Sequence, residues 1–173
     1  NMAQALQLKM QMDSGAAMSQ VAPARTFNDV IQERDAQALY PRALCLEFAR
    51  GLAQNVLGPE FADVDTYEVR VRLPDEPLML ADRIMEVNAA KGVLGPGSRI
   101  TEHDVKPGAW YLDGGHAPVC IAVEAGQADL FLSAYMGIDK VVKGKRAYRL
   151  LDAVVEFHRE LPVPGEIIAY HIN

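Results

Sequence analysis

A chain of 173 residues, half of them hydrophobic, is long and apolar enough to bury one sizeable core and is not disordered throughout. Its 17 Lys and Arg against 23 Asp and Glu give a net charge of −6, and the basic residues are scattered rather than gathered into a stripe, which argues against nucleic acid as a partner. Cys45 and Cys120 stand far apart with no C-x-x-C or Cys/His spacing, so neither a disulfide framework nor a metal site is expected, and both read as reduced, partly buried thiols. No run approaches the roughly 18 apolar residues of a membrane span. No basic region followed by an apolar core opens the sequence, so the expected location is the cytoplasm, without a membrane partner.

Residues 1–25 read as a flexible N-terminal linker or an added segment, a short Leu/Met piece followed by a Ser/Gly/Ala/Pro stretch. "TFNDVIQERDAQALY" predicts a helix capped by Thr26 or Asn28 and stopped by Pro41. A second helix is expected next, because Leu44, Phe48, Leu52 and Val56 recur at a spacing of four until Gly58-Pro59 ends the run. Residues 26–58 thus form a helical lead-in to a domain over 59–173. The period then changes to two. "TYEVRVRLP" places Tyr67, Val69, Val71 and Leu73 on one face and Glu68, Arg70 and Arg72 on the other, the pattern of a half-exposed strand. "LMLADRIMEVNAA" and "SRITEHDV" predict two more strands around the turn Gly95-Pro96-Gly97, and "RAYRLLDAVVEFHREL" is expected to pair with "EIIAYHIN" as a hairpin across "PVPG".

Between these strands, residues 118–136 are apolar nearly all round, with Pro118 at a first-turn position; they predict one long buried helix. Strands, one buried helix and more strands make an α+β chain of the hot-dog kind, an antiparallel sheet wrapped around a central helix. The sequence stops at "YHIN", where such a sheet is expected to continue with its last strands.

On the predicted helix Glu124, Gln127, Ala128 and Phe131 form one stripe. Glu124 lies beyond the first turn, so capping does not account for it. It reads either as a carboxyl satisfied by a neighbouring Arg or backbone amide, or as a catalytic acid whose burial keeps it protonated and able to donate. Ahead of it, the free amides of the first turn near Val119 and Cys120 are placed to polarise a carbonyl oxygen or to bind only water or a loop carbonyl. Gly114-Gly115 allows close backbone approach.

"HAPVCIAVEAGQADLF" resembles the central helix of the 3-hydroxyacyl-acyl-carrier-protein dehydratases. With "EFADVDTYEVRVRLP" before it and "YMGIDKVVKGKRAYRLLDAVVEFHRELPVPGE" after it, the stretch from about Ala43 to Asn173 resembles the dehydratase-type domains of polyunsaturated fatty acid synthases and related polyketide synthase-like multienzymes. The resemblance implies removal of water from a 3-hydroxyacyl thioester, carried on the phosphopantetheine of an acyl carrier protein, to give a 2-enoyl thioester, with no metal or redox cofactor. It implies Glu124 as the acid, the Val119 amide as the oxyanion donor, and Cys120, Gly126 and Gln127 along the acyl tunnel. The chain departs from the family at the base. The family histidine stands in H-F-x-x-D-P-x-x-P-G, and an ungapped match places Trp110 at that position. His116 is the one histidine near enough to substitute for it, whereas His103, His158 and His171 fall on predicted strands and read as structural. A family site lies between two hot-dog units, so this chain reads as the acid-bearing half, completed by a second unit that is fused or the partner of a homodimer. A catalytically inactive unit that scaffolds or binds acyl groups, and a hot-dog acyl thioesterase, are the alternatives.

Overall fold

The computed structural model describes residues 24–126, 129–146, 154–156 and 158–173. Most of the expected N-terminal linker, Gln127 and Ala128 of the stripe, and the centre of the expected strand after residue 146 lie outside the described residues.

Helix α1, Phe27–Gln37, starts from Thr26, whose hydroxyl accepts the Asp29 amide at 3.2 Å while the Asp29 carboxylate accepts the Thr26 amide at 2.8 Å. This reciprocal capping box satisfies two amides that no helical carbonyl reaches. The helix stops before Pro41 because Tyr40 exchanges backbone bonds of 3.0 and 2.9 Å with Ile84.

The single helix expected next is two, α2 at Arg42–Arg50 and α3 at Ala53–Leu57. Distant side chains make the break. Asp65 accepts the Ala53 and Gln54 amides at 2.6 and 3.0 Å, and the Arg70 guanidinium donates to the carbonyls of Gly51 at 2.7 Å and Phe48 at 3.3 Å. A carboxylate at one helix start and a cation at the preceding helix end both suit the peptide dipoles there.

Those contacts also overturn the strand expected at "TYEVRVRLP", which follows two short 3-10 turns as irregular chain. Arg70, expected on the solvent face, is buried over the Phe48 ring, while Val69, expected inside, is 47% exposed. The Val71 amide is tied to the Asp139 carboxylate at 3.0 Å rather than to a strand.

Strands β1, Arg83–Asn88, and β2, Ser98–Asp104, pair antiparallel around the Gly-Pro-Gly turn, with a register irregularity between Ile84 and Glu86. Strand β3, Ile167–Ile172, pairs antiparallel with β2, from Arg99 opposite Ile172 to Asp104 opposite Ile167, giving the order β1-β2-β3. The expected partner of β3 was the segment before "PVPG"; its described residues 154–156 have no regular structure. His158 is exposed, and His171 stands opposite Ile100 of β2.

The long buried helix expected over residues 118–136 is not evident. The described residues hold α4, Val119–Gly126, and α5, Asp129–Tyr135, followed by α6, Ile138–Val142. Helix α4 buries Ile121 and Ala125 but exposes Val119 and Cys120, so Cys120 is not a partly buried thiol; Cys45, on α2, is fully buried.

Two apolar clusters follow from this arrangement. In one, Phe131 of α5 meets the rings of Tyr40 and Phe48 at 4.8 and 5.0 Å, among residues of α2, α3 and β1. In the other, Ile121 and Ala125 of α4 pack with Leu80, Val105 and Tyr111 against Ile168 and Tyr170 of β3. The architecture is α+β. Among the described residues no helix is long and apolar enough to cross a membrane.

Candidate acid–base site

The chain approaches α4 through a two-residue turn. Asp113 and His116 exchange backbone bonds of 3.0 Å each, and Gly114 and Gly115 take φ of 54° and 84°. Both angles lie in the left-handed region that glycine enters without strain, the geometry of a tight hairpin turn. The His116 ring folds back on this turn, with Nδ1 3.1 Å from the Gly114 carbonyl oxygen. The Ala117 amide then donates to Pro162 at 2.8 Å, and α4 begins with Val119 and Cys120 exposed at its first turn.

Glu124 is half-buried on α4 and is already engaged by a neighbouring group. Gly126, at the end of α4, accepts from Arg99 at 3.5 Å, and a Cβ placed on it would meet no atom within 4 Å. His116, Val119, Cys120, Glu124 and Gly126 thus follow one another along a single turn and helix; Gln127 lies outside the described residues. Trp110 does not join them. It is 60% exposed, donates from Nε1 to the Pro77 carbonyl at 3.2 Å and lines a cavity on the strand side.

That cavity, about 480 Å³, lies between the approach to β1, the end of β2 and the loop that follows. Asp82, His103 and Tyr111 line it as one hydrogen-bonded chain: His103 Nδ1 is 2.8 Å from Asp82 Oδ2 and His103 Nε2 is 2.7 Å from the Tyr111 hydroxyl. His103 is 5% exposed and Tyr111 8%.

The electrostatics set the charge at the two ends of this chain. Burial works to raise the Asp82 pKa, but the bonds from His103 and the Asp104 amide, with the charge of Arg42, hold it below the usual carboxylate value. Burial, then the negative charges of Asp82 and Asp104, push the Tyr111 phenol up to about 12, so it keeps its proton at neutral pH. An ionised Asp82 accepts Nδ1–H of His103, and Nε2 is held against the Tyr111 hydroxyl. An imidazole aligned by a carboxylate on one nitrogen is the arrangement of a general base and its orienting partner.

Arg42 pairs with both Asp82 and Glu76 at the rim, and Lys106 Nζ stands 3.8 Å from Asp82. Behind the chain, Arg83 bonds Glu102 at 2.9 Å and Asp104 at 2.5 Å, and Arg34 also reaches Glu102. Burial and the nearby Asp82 charge raise the Asp104 pKa, and Arg83 opposes them.

The strand reading of the sequence passed over His103, because one histidine in a two-residue period belongs to one face of a sheet and gives no sign of a partner. No signal in the sequence singled it out; the structure explains its partners through the run Thr101 to Val105. All five residues are buried, so both faces of the end of β2 are covered and its polar groups need buried partners.

No family model matches the chain. It is 41% identical over 129 residues, 74% of its length, to a polyunsaturated fatty acid synthase subunit of Thraustochytrium sp., and the match spans 9% of that much longer protein. This chain is therefore similar to one short segment of a polyunsaturated fatty acid synthase subunit, and is synthase-like in that sense.

Proposed function

We propose that the chain takes part in polyunsaturated fatty acid synthesis as a hot-dog unit that dehydrates 3-hydroxyacyl thioesters, held on an acyl carrier protein, to 2-enoyl thioesters. Residues 59–173 form that unit on this reading, with the helices over 26–58 leading into it. The observation that carries it is a glutamate in mid-helix on an otherwise apolar α4, within a chain 41% identical to a segment of a polyunsaturated fatty acid synthase subunit.

In this reaction a base removes the proton from the α-carbon, the C–O bond at the β-carbon breaks, and Glu124 gives its proton to the departing hydroxyl, which leaves as water. The Val119 amide, in the first turn of α4, receives the thioester oxygen as charge gathers on it. Cys120, Gly126 and Gln127 border the acyl chain, and the open space beside Gly126 suits that role. The base is His116, acting through Nε2 because Nδ1 is turned to Gly114, or a group from a second hot-dog unit that completes the site. Proton transfer and loss of water need an acid, a base and an oxygen-binding amide, and no metal or redox cofactor.

The test is Glu124→Gln in the parent synthase, which keeps the shape and removes the proton. Dehydration should fall by the 10²–10⁴-fold typical of losing a general acid. Undiminished dehydration would leave the chain as a scaffold or acyl-binding unit.

A further inference from the structure

The cavity beside Trp110 stands apart from the helix that carries Glu124: among the described residues that line it, none belongs to α4 or α5. A buried histidine bonded through both nitrogens is by itself a satisfied core residue. What distinguishes His103 is that its chain ends at the wall of a void. The Tyr111 hydroxyl is bonded to Nε2 and keeps capacity for a further partner, because a phenol can donate once and accept besides. The space in front of it, about 480 Å³, falls within the range of sites for small organic ligands. A packed core leaves few such spaces.

The walls define the ligand. Pro77, Met79, Leu80 and Trp110 present apolar surface, and the rim cations Arg42 and Lys106 are occupied by Asp82 and Glu76. Among the described lining residues both cations already face carboxylates, so a charged ligand competes with Asp82 and Glu76, whereas an apolar body with one oxygen finds both a wall and a hydrogen-bonding hydroxyl.

We propose that this cavity binds a neutral ligand with an apolar body and a hydroxyl group, and that Tyr111, aligned by His103 and Asp82, recognises that hydroxyl. A ligand hydroxyl donates to the Tyr111 oxygen while the Tyr111 proton stays on the bond to Nε2 and Nδ1–H stays on the bond to Asp82. Tyr111 is the binding residue, and His103 and Asp82 are positioning residues. Taking the ligand as an acyl thioester with oxygen at C3 rests on the reading given under Proposed function.

Trp110 is the single tryptophan of the chain and lines the cavity, so its emission reports occupancy. The experiment titrates the chain with hexanoyl and 3-hydroxyhexanoyl thioesters of N-acetylcysteamine. Both should change Trp110 emission saturably, and the 3-hydroxy compound should bind roughly 3- to 10-fold more tightly, the worth of one neutral hydrogen bond. Tyr111→Phe should bring the two affinities together, and His103→Gln should narrow the ratio while keeping binding of the hexanoyl compound. A purely structural role for His103 would shift stability, followed by circular dichroism, without moving that ratio. Ala109→Leu narrows the cavity without touching the hydrogen-bonded chain and should weaken both probes, which keeps the test decisive if Tyr111→Phe does not fold. No saturable change with either probe, an unaltered ratio in Tyr111→Phe, or unaltered binding in Ala109→Leu would overturn the inference. A chain that fails here can still lose dehydration in Glu124→Gln, so the two readings fail separately.

Discussion

Asp82 is the group on which the buried polar chain turns, and Asp82→Asn tests that most sharply because it removes the charge with little change of shape. Oδ2 accepts His103 at 2.8 Å and the Asp104 amide at 2.9 Å, while Oδ1 meets Arg42. An asparagine has one oxygen and one NH2 group, so in either orientation its donor faces an N–H or a guanidinium and at least one buried bond becomes a donor–donor clash. Breaking a buried pair typically costs about 3–5 kcal/mol. Arg42 is 30% exposed and water recovers part of that loss, which puts the expectation at the lower end, about 3 kcal/mol. For a chain of this size that is a fall in Tm of about 6–12 °C. The assay is urea unfolding of both proteins from pH 7 downward. Because the Asp82 pKa is held below its ordinary value, its contribution is present above the unfolded carboxylate pKa of about 3.9 and is lost as pH falls through the folded one. The two proteins should therefore differ fully at pH 5 to 7 and converge in acid. A difference under about 1 kcal/mol at pH 7 would refute the reasoning, since an unpaired donor in this position is expected to cost more.

Two further outcomes follow from the packing. Burial pushes the Cys45 thiol up to about 12, whereas Cys120 is exposed, so a thiol reagent at pH 8 should modify one cysteine in the native chain and both after unfolding, read by mass spectrometry of the peptides. Phe131→Ala removes a fully buried ring that joins Tyr40 and Phe48 and should cost about 3–5 kcal/mol in denaturant unfolding.

Local chemistry was legible where its partner lies nearby in sequence. Thr26 and Asp29 are three residues apart; the sequence offered Thr26 or Asn28 as the cap, and Thr26 takes it with Asp29 as its reciprocal partner. Gly58-Pro59 ends α3, and the two strands around Gly95-Pro96-Gly97 pair as their alternation implies. The reading failed where a distant group decided the conformation. The alternation of "TYEVRVRLP" is genuine, but Arg70 finds the free carbonyls at the end of α2 and the Val71 amide finds Asp139, and neither partner can be inferred from a period of two. Asp65 divides the second predicted helix in the same way, by capping Ala53 and Gln54 from beyond the next turn. Strand β3 was visible as a strand, yet its partner β2 lies far back in the chain, where a reading by sequence neighbours does not look. The candidate site divides along the same line. Glu124 and the first turn of α4 could be named together because they share one helix. Asp82, His103 and Tyr111 come from three segments whose meeting depends on the register of β1 against β2 and on the loop that returns over the end of β2.

Dehydration is tested most directly by the mass of what the parent synthase makes from a 3-hydroxyacyl thioester in a single turnover. The reaction removes one water and leaves the thioester intact, so the 2-enoyl thioester is expected from the native synthase, and its loss is expected when Glu124→Gln is introduced. Release of the free 3-hydroxy acid and the free thiol, or an enoyl product undiminished by Glu124→Gln, would contradict the assignment.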